Sequence, residues 1–233
     1  IGTGIGVLTN ELAKRAKKVV AIEIDDRLFP ILEETLQEYS HIKIIHADVM
    51  KLDLGALIKE EFSGMDVCVC ANLPYYITSP IIMMLLEQRL PIKWITVMVQ
   101  KEAAIRLCAK PGTRDCGAVT FAVRYYSHPK QLFPVSKGSF LPAPKVDSAV
   151  IQLEVKSQSE YTVENESFLF ALVKAAFSQR RKTLVNPVSS VLKIPKKTVA
   201  LALENCDLKP IVRAEEVTFE QFLQLSNELF KLK

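Results

Sequence analysis

From Val7 to Ala109 the chain alternates between helical and strand periodicities, and this alternation constrains its fold more than any other feature. Residues 7–17 carry apolar side chains at helical spacing (Leu8, Leu12, Ala13, Ala16), and the short apolar run 19–22 ends at Glu23-Ile24-Asp25. Asp26 is placed to cap a second helix whose apolar face is Leu28, Ile31, Leu32 and Leu36. Strand-like runs occur at 42–45, 66–71 and 94–99, with helical patterns at 81–90 and 102–109. Strands separated by helices pair in parallel through right-handed crossovers, so the expectation is an α/β fold built on a mostly parallel sheet.

Beyond Cys116 the pattern changes. Residues 118–126 and 146–155 read as two further strands, forming an antiparallel addition at the sheet edge. The polar stretch 156–166 reads as a linker, and the remainder of the chain is helical: Phe168, Leu169, Leu172, Val173, Ala176 and Phe177 share one face, and 199–203 and 219–229 repeat the spacing. The expected organisation is a first domain over 1–157 and a small α-helical domain over 158–233.

Composition removes several functional classes. Apolar residues make up 49% and charged residues 24%, the balance of a folded protein. The longest apolar run, 77–86, is interrupted by Thr78, Ser79 and Pro80 and falls well short of a bilayer span. Five cysteines without a C-x-x-C pair read as free thiols of a reducing cytoplasm. Cys68 and Cys70 alternate with Val67 and Val69 and so belong to one strand face. Three histidines without a matching cluster of Cys or carboxylates argue against a metal site.

Open α/β sheets bind ligands at the carboxyl ends of their strands, and that is where the notable polar residues fall. Gly2, Gly4 and Gly6 permit a tight turn with close backbone approach, ahead of a helix whose first N–H groups are free. A glycine loop of this kind normally comes after a strand, so a segment is expected ahead of Ile1. Glu23 lies at about the offset at which a carboxylate bonds ribose hydroxyls, and Asp48 is placed to accept from an adenine amino group. The G-x-G-x-G spacing departs from the G-x-G-x-x-G of nicotinamide dinucleotide sites. The pattern favours an adenosine-containing cofactor.

Asn72-Leu73-Pro74-Tyr75-Tyr76 closes the strand at 66–71, and an Asn at the buried end of an apolar strand needs partners for its amide. Pro74 stiffens the turn and withholds a backbone donor. The chemistry that uses such a turn is methylation of an exocyclic adenine amine, a poor nucleophile because its lone pair is delocalised into the ring. An Asn carbonyl and a backbone carbonyl accept its two hydrogens, turn the nitrogen toward a tetrahedral shape and point the lone pair at an electrophilic methyl. Tyr75 offers a face on which a flipped-out base stacks.

Together these segments resemble the rRNA adenine N6,N6-dimethyltransferase family, most of all its bacterial branch acting on 16S rRNA. The likeness rests on Gly2-Thr3-Gly4-Ile5-Gly6, Asn72-Leu73-Pro74-Tyr75, Gln100-Lys101-Glu102, the block from Phe140 to Ser148, the block from Phe177 to Thr183, and Arg213-Ala214-Glu215-Glu216. The resemblance implies a Rossmann-like S-adenosylmethionine-dependent methyltransferase sheet with a small C-terminal α-helical, rRNA-binding domain. It implies that Gly2, Gly4, Gly6, Glu23, Ile24, Asp48, Val49 and Asn72 lie along S-adenosylmethionine. Asn72, Leu73, Pro74, Tyr75 and Phe140 would hold the target adenine, with Tyr75 and Phe140 packing on the base. It also implies a segment ahead of the glycine loop, with a Phe-Gly-Gln-Asn-Phe-Leu-like motif over the cofactor and an acidic residue just before Ile1. The implied substrate is two adjacent adenosines near the 3′ end of 16S rRNA in the small (30S) ribosomal subunit; a cytoplasmic location follows from the free thiols, and a monomer is assumed.

Charge is distributed to match an RNA partner. The net charge is only +4, from 30 basic and 26 acidic residues, yet 167–203 holds seven basic residues and no acidic one, and 101–145 holds eight against Glu102 and Asp115. Lys101, Arg106, Arg180, Arg181 and Lys182 are the expected phosphate contacts. Competing readings are a 23S rRNA methyltransferase of the antibiotic-resistance type, against which Arg180-Arg181-Lys182-Thr183 and Arg213-Ala214-Glu215 speak, and a small-subunit assembly factor that binds without catalysis. DNA adenine methylation is weaker, since its usual motif places two prolines after the first residue.

Overall fold

The computed structural model describes residues 1–157 and 160–233; Gln158 and Ser159, inside the expected linker, lie outside the described residues. The chain divides into two compact units. One comprises Ile1–Ala104 with Ser127–Ser157, the other Ile105–Tyr126 with Gln158–Lys233. Residues 105–126, expected in the first domain, therefore group with the C-terminal helices.

In the first unit, helix α1 (Val7–Ala13) leads into strand β1 (Val19–Glu23) and helix α2 (Phe29–Leu36), then strand β2 (Ile42–His46) and helix α3 (Leu54–Glu61). β1 and β2 pair in parallel, from Val19 opposite Ile42 to Glu23 opposite His46. Strand β3 (Val67–Asn72), helix α4 (Thr78–Glu87), strand β4 (Ile92–Gln100) and helix α5 (Lys101–Cys108) come next. Strands β5 (Ser127–Val135) and β6 (Ser148–Val155) complete a second sheet of order β3-β4-β6-β5. β3 and β4 are parallel, whereas β6 runs antiparallel to both β4 and β5. Ile95, Val97 and Val99 of β4 and Ala149, Ile151 and Leu153 of β6 are buried at every second position, the two-residue period of a strand. β5 carries Pro129 and Pro134, tolerable because it is an edge strand and need not donate on its outer side.

Several local expectations change. The sheet is not continuous: β1 and β3 are not paired, and a cavity of about 1680 Å³ lies between them, lined by Val19 to Glu23 and Val67 to Asn72 and reaching Gly2 and Gly4. Asp25, not Asp26, does the capping, accepting the Arg27 N–H at 3.1 Å before a 3-10 turn, and α2 starts only at Phe29 with Pro30 in its first turn. The antiparallel addition is present, but its first strand is β5.

Residues 118–126 form helix α6 (Ala118–Tyr126), not a strand. The β-branched and aromatic content of Ala-Val-Thr-Phe-Ala-Val-Arg-Tyr-Tyr favours extended structure locally. Tertiary contacts override it. In the second unit α6 is accompanied by α7 (Glu166–Phe177), α8 (Val185–Leu192), α9 (Lys196–Asn205) and α10 (Phe219–Leu232). Phe121 stacks on Phe219 with ring centroids 4.5 Å apart and meets Phe170 and Phe222 edge-on. The Arg124 guanidinium donates to the carbonyls of Cys108 and Ala109, satisfying acceptors that α5 leaves open at its end. Tyr125 and Tyr126 both donate to the Glu166 carboxylate. Asn165 caps α7 through the Phe168 N–H, and Thr218 with Gln221 forms a reciprocal capping box on α10.

Glu61, at the end of α3, accepts from Lys18 at 2.6 Å and from Lys43. Hydrogen bonds from these two ammonium groups hold its carboxyl down at about 2, against an ordinary value of 4.5. A depressed carboxyl contributes stability that is present above its unfolded pKa and lost as pH falls through the folded one. Glu61→Gln is therefore expected to lower Tm at pH 7, with the difference from the parent closing between about pH 4.5 and pH 2; thermal melts across that range check it.

Candidate active site

β1 and β3, each one member of a parallel pair, both end on a polar residue, Glu23 and Asn72. Gly2, Gly4 and Gly6 all adopt positive φ (66°, 57° and 90°), conformations that an L side chain rarely takes. Gly2 donates its N–H to Ile22 O at 2.9 Å, which fastens the loop to the end of β1. No atom lies within 4 Å of where a Cβ would stand on Gly2 or Gly4, so this stretch of backbone is open to a ligand. Gly6 differs, since a Cβ there would meet Leu32 Cδ2 at 3.1 Å. Gly6→Ala is expected to lower stability by about 1–2 kcal/mol through the forced left-handed backbone alone, measurable as a lowered denaturant midpoint with unchanged m.

Glu23 is 6% exposed, and its carboxylate is the hub of the loop. Oε2 accepts the Gly4 N–H at 2.9 Å, while Oε1 accepts the N–H groups of Ile24 and Asp25 at 2.9 and 3.0 Å. Three of about four lone-pair sites are used, leaving capacity for one more donor such as a ribose hydroxyl. Ile24, the next residue, is exposed. At the end of β2 the Ala47 N–H bonds to Glu23 O at 3.0 Å, bringing Asp48 and the buried Val49 alongside. Asp48 Oδ1 accepts the Met50 N–H at 2.9 Å, and Lys51 Nζ lies 3.8 Å from Oδ2. The ring of His46 packs on Phe29, centroids 4.9 Å apart, at the same strand ends; sequence reasoning gave this pair no role.

Asn72 is the last residue of β3, and the structure corrects the expectation of a buried amide: Asn72 is exposed, and among the described residues its side chain has no hydrogen-bond partner. The turn beneath it is rigid. Leu73 is buried, and Pro74 O accepts both the Ile77 N–H and the Thr78 hydroxyl at 3.1 Å. The Leu73 carbonyl has no partner among the described residues. Tyr75 is half-buried, with its hydroxyl 2.7 Å from Ser148 Oγ, whereas Tyr76 is 87% exposed and plays no part in the core. Phe140 is half-buried in the loop joining β5 to β6. Register places that loop at the Asn72 end of the sheet, because Asn72 is opposite Met98, Met98 opposite Val150, and Gln100 and Val135 both opposite Ser148.

The expected RNA contacts divide. Lys101 and Arg106 are exposed on α5, and Arg181 and Lys182 are exposed after α7. Arg180 is exposed too, and one of its guanidinium nitrogens donates to Arg114 O at 2.7 Å and to Glu215 at 3.4 Å. Two of the segments that carried the family resemblance, Phe177 to Thr183 and Arg213 to Glu216, are thereby joined by an ion pair. Among the described residues no group of three or more His, Cys, Asp or Glu is arranged to hold a metal.

A positive-φ glycine loop before a helix, carboxylates at the ends of the next two strands and an exposed Asn closing a third are the arrangement expected of a Rossmann-like methyltransferase that uses S-adenosylmethionine. The open glycine backbone and the spare acceptor on Glu23 fit that molecule. A family model described as "Ribosomal RNA adenine dimethylase" matches residues 1–231, and the chain belongs to this family of S-adenosylmethionine-dependent rRNA adenine dimethyltransferases. "Ribosomal RNA small subunit methyltransferase A" of Geobacillus sp. is 52% identical over 233 residues, covering 98% of this chain and 80% of the relative; that of Anoxybacillus flavithermus is 49% identical, covering 100% and 80%. The crystal structure of a dimethyladenosine transferase from Plasmodium falciparum superposes with a TM-score of 0.80 at 30% identity, over 99% of this chain and 88% of that one. The 23S rRNA methyltransferase ErmE gives 0.72 at 27% identity, over 98% and 88%.

Proposed function

We propose that this chain dimethylates N6 of two adjacent adenosines near the 3′ end of 16S rRNA, within the small ribosomal subunit and as a monomer in the cytoplasm. The observation that carries the reading is the exposed, unpartnered Asn72 amide on a rigid turn, in a chain about half identical to small-subunit methyltransferases. The lower identity to the 23S enzyme supports the small subunit over the antibiotic-resistance alternative.

S-adenosylmethionine supplies the electrophilic methyl group. Gly2 and Gly4 give it close backbone approach, Glu23 takes a ribose hydroxyl, Asp48 the adenine amino group, and Ile24 and Val49 flank the purine. Asn72 Oδ1 accepts one hydrogen of the target amine. The second goes to the Leu73 carbonyl, since the Pro74 carbonyl is already shared. Both acceptors pull hydrogens out of the base plane and free the nitrogen lone pair, and no strong base is needed because the nitrogen turns acidic on alkylation. Tyr75 and Phe140 stack on the extruded base. Lys101, Arg106, Arg181 and Lys182 meet phosphates, and the helices of 158–233 serve as the rRNA-binding part. Arg180, exposed beside Arg181 and Lys182 and paired with Glu215, meets phosphate with its remaining donors.

Small subunits lacking adenine dimethylation, incubated with labelled S-adenosylmethionine and the protein, test this. N6,N6-dimethyladenosine in the 16S 3′ region is the expected result. Its absence, with subunit binding intact, would overturn catalysis and leave an assembly factor.

A further inference from the structure

Asp147 and Ser148, at the start of β6, are bonded to three segments: the turn that carries Tyr75, the entry to the loop that carries Phe140, and the start of α5. Ser148 is fully buried, and its Oγ lies 2.7 Å from the Tyr75 hydroxyl. Asp147 Oδ1 accepts the Lys137 N–H at 3.0 Å, at the entry to the loop that carries Phe140. Asp147 O accepts the Lys101 N–H at 3.0 Å, fixing the first residue of α5. The backbone of Ser148 is in turn clamped in the sheet, opposite Gln100 of β4 and Val135 of β5. One dipeptide therefore ties the Asn72–Tyr75 turn, the Phe140 loop and the start of α5 to a single rigid point.

Stacking on a base needs only the face of an aromatic ring, and phenylalanine would provide it. A tyrosine hydroxyl aimed at a buried serine has another use. A half-buried ring anchored only at Cβ can change its χ1 rotamer and swing as a whole. A hydrogen bond at its far end removes that freedom. Asp147 ties the base of the Phe140 loop to the same strand start.

We propose that Ser148 is a positioning residue for methyl transfer: its hydroxyl fixes where the Tyr75 ring stands, at the strand start to which Asp147 also ties the Phe140 loop, so that the target adenine is held in one frame. The proposal rests on the reading that Tyr75 and Phe140 contact the target base. Misplacing a reacting group by about 1 Å costs up to about 10²-fold in rate, and the loss appears in kcat when the ground-state contacts survive.

Tyr75→Phe, Ser148→Ala and the double variant test it, alongside Tyr75→Ala and Asn72→Ala, with small subunits lacking the modification as substrate. Each single variant is expected to lower kcat about tenfold while KM for S-adenosylmethionine stays within about twofold. The double variant should be no slower than the slower single one, because both substitutions remove the same bond. Product should shift toward N6-monomethyladenosine, since the second transfer needs the amine presented again. Tyr75→Phe removes the bond without altering the start of β6, so it decides the matter should Ser148→Ala fold poorly. If Asn72→Ala and Tyr75→Ala abolish transfer but Tyr75→Phe and Ser148→Ala keep the parental kcat, the positioning role is wrong and the base site stands. If Asn72→Ala and Tyr75→Ala themselves leave transfer unchanged, the base-site reading falls, and the positioning role with it.

Discussion

Asn72→Ala is expected to lower kcat for rRNA dimethylation by about 10²–10³-fold, the cost of losing one preorganised polar group that stabilises developing charge. Alanine retains the β3 ladder partner opposite Met98 and removes only an exposed amide, so Tm should be unchanged. Binding of S-adenosylmethionine should weaken by far less than kcat falls, because Gly2, Gly4, Glu23 and Asp48 remain in place. Asn72→Asp is a sharper comparison. It keeps an acceptor at the same atom but adds a negative charge, which attracts the amine hydrogens yet also draws the methyl donor's positive charge into the ground state. Single-turnover rates with calorimetric cofactor affinities separate these effects. A kcat within a factor of a few of the parent for Asn72→Ala would remove the Asn from the chemical step.

The largest stability effect is expected from Phe121→Ala, a loss of about 3–5 kcal/mol in the unit formed by residues 105–126 and 158–233. Phe121 is fully buried and shares ring contacts with Phe170, Phe219 and Phe222, contributed by α7 and α10. Truncation leaves a cavity among aromatic rings that cannot collapse easily, and the transfer and cavity terms add. Phe121→Leu should recover part of the loss, as most of the volume returns. Denaturant unfolding followed by far-ultraviolet circular dichroism checks both variants. If residues 118–126 were an edge strand instead, Phe121→Ala would cost about 1 kcal/mol at most.

The two residues illustrate how far the amino-acid order carries. Strands β1 to β4 and β6, helices α2, α4 and α5, and the helical character of the C-terminal part are all legible, because each buries one face and so repeats its apolar residues at the period of its backbone. The glycine loop, Glu23, Asp48 and the Asn-Leu-Pro-Tyr turn are legible for another reason: each sits just where a strand pattern stops. α3 went unnoticed, and α1 buries Thr9 and Ala13 while Leu8 is left exposed, so periodicity alone misjudged which face turns inward.

Sequence by itself determined the α/β class, the strand-end location of the site and the residue types in it, since these arise from local periodicity and from the few side chains that suit the chemistry. Tertiary structure alone decided that 118–126 is a helix, because aromatic packing on α7 and α10 outweighs local β propensity. It alone decided that Asn72 faces outward, that Arg180 pairs with Glu215, and that Ser148 meets Tyr75 from 73 positions away. Contacts between residues so distant along the chain leave no periodic trace, and only the folded backbone can bring them within hydrogen-bond reach.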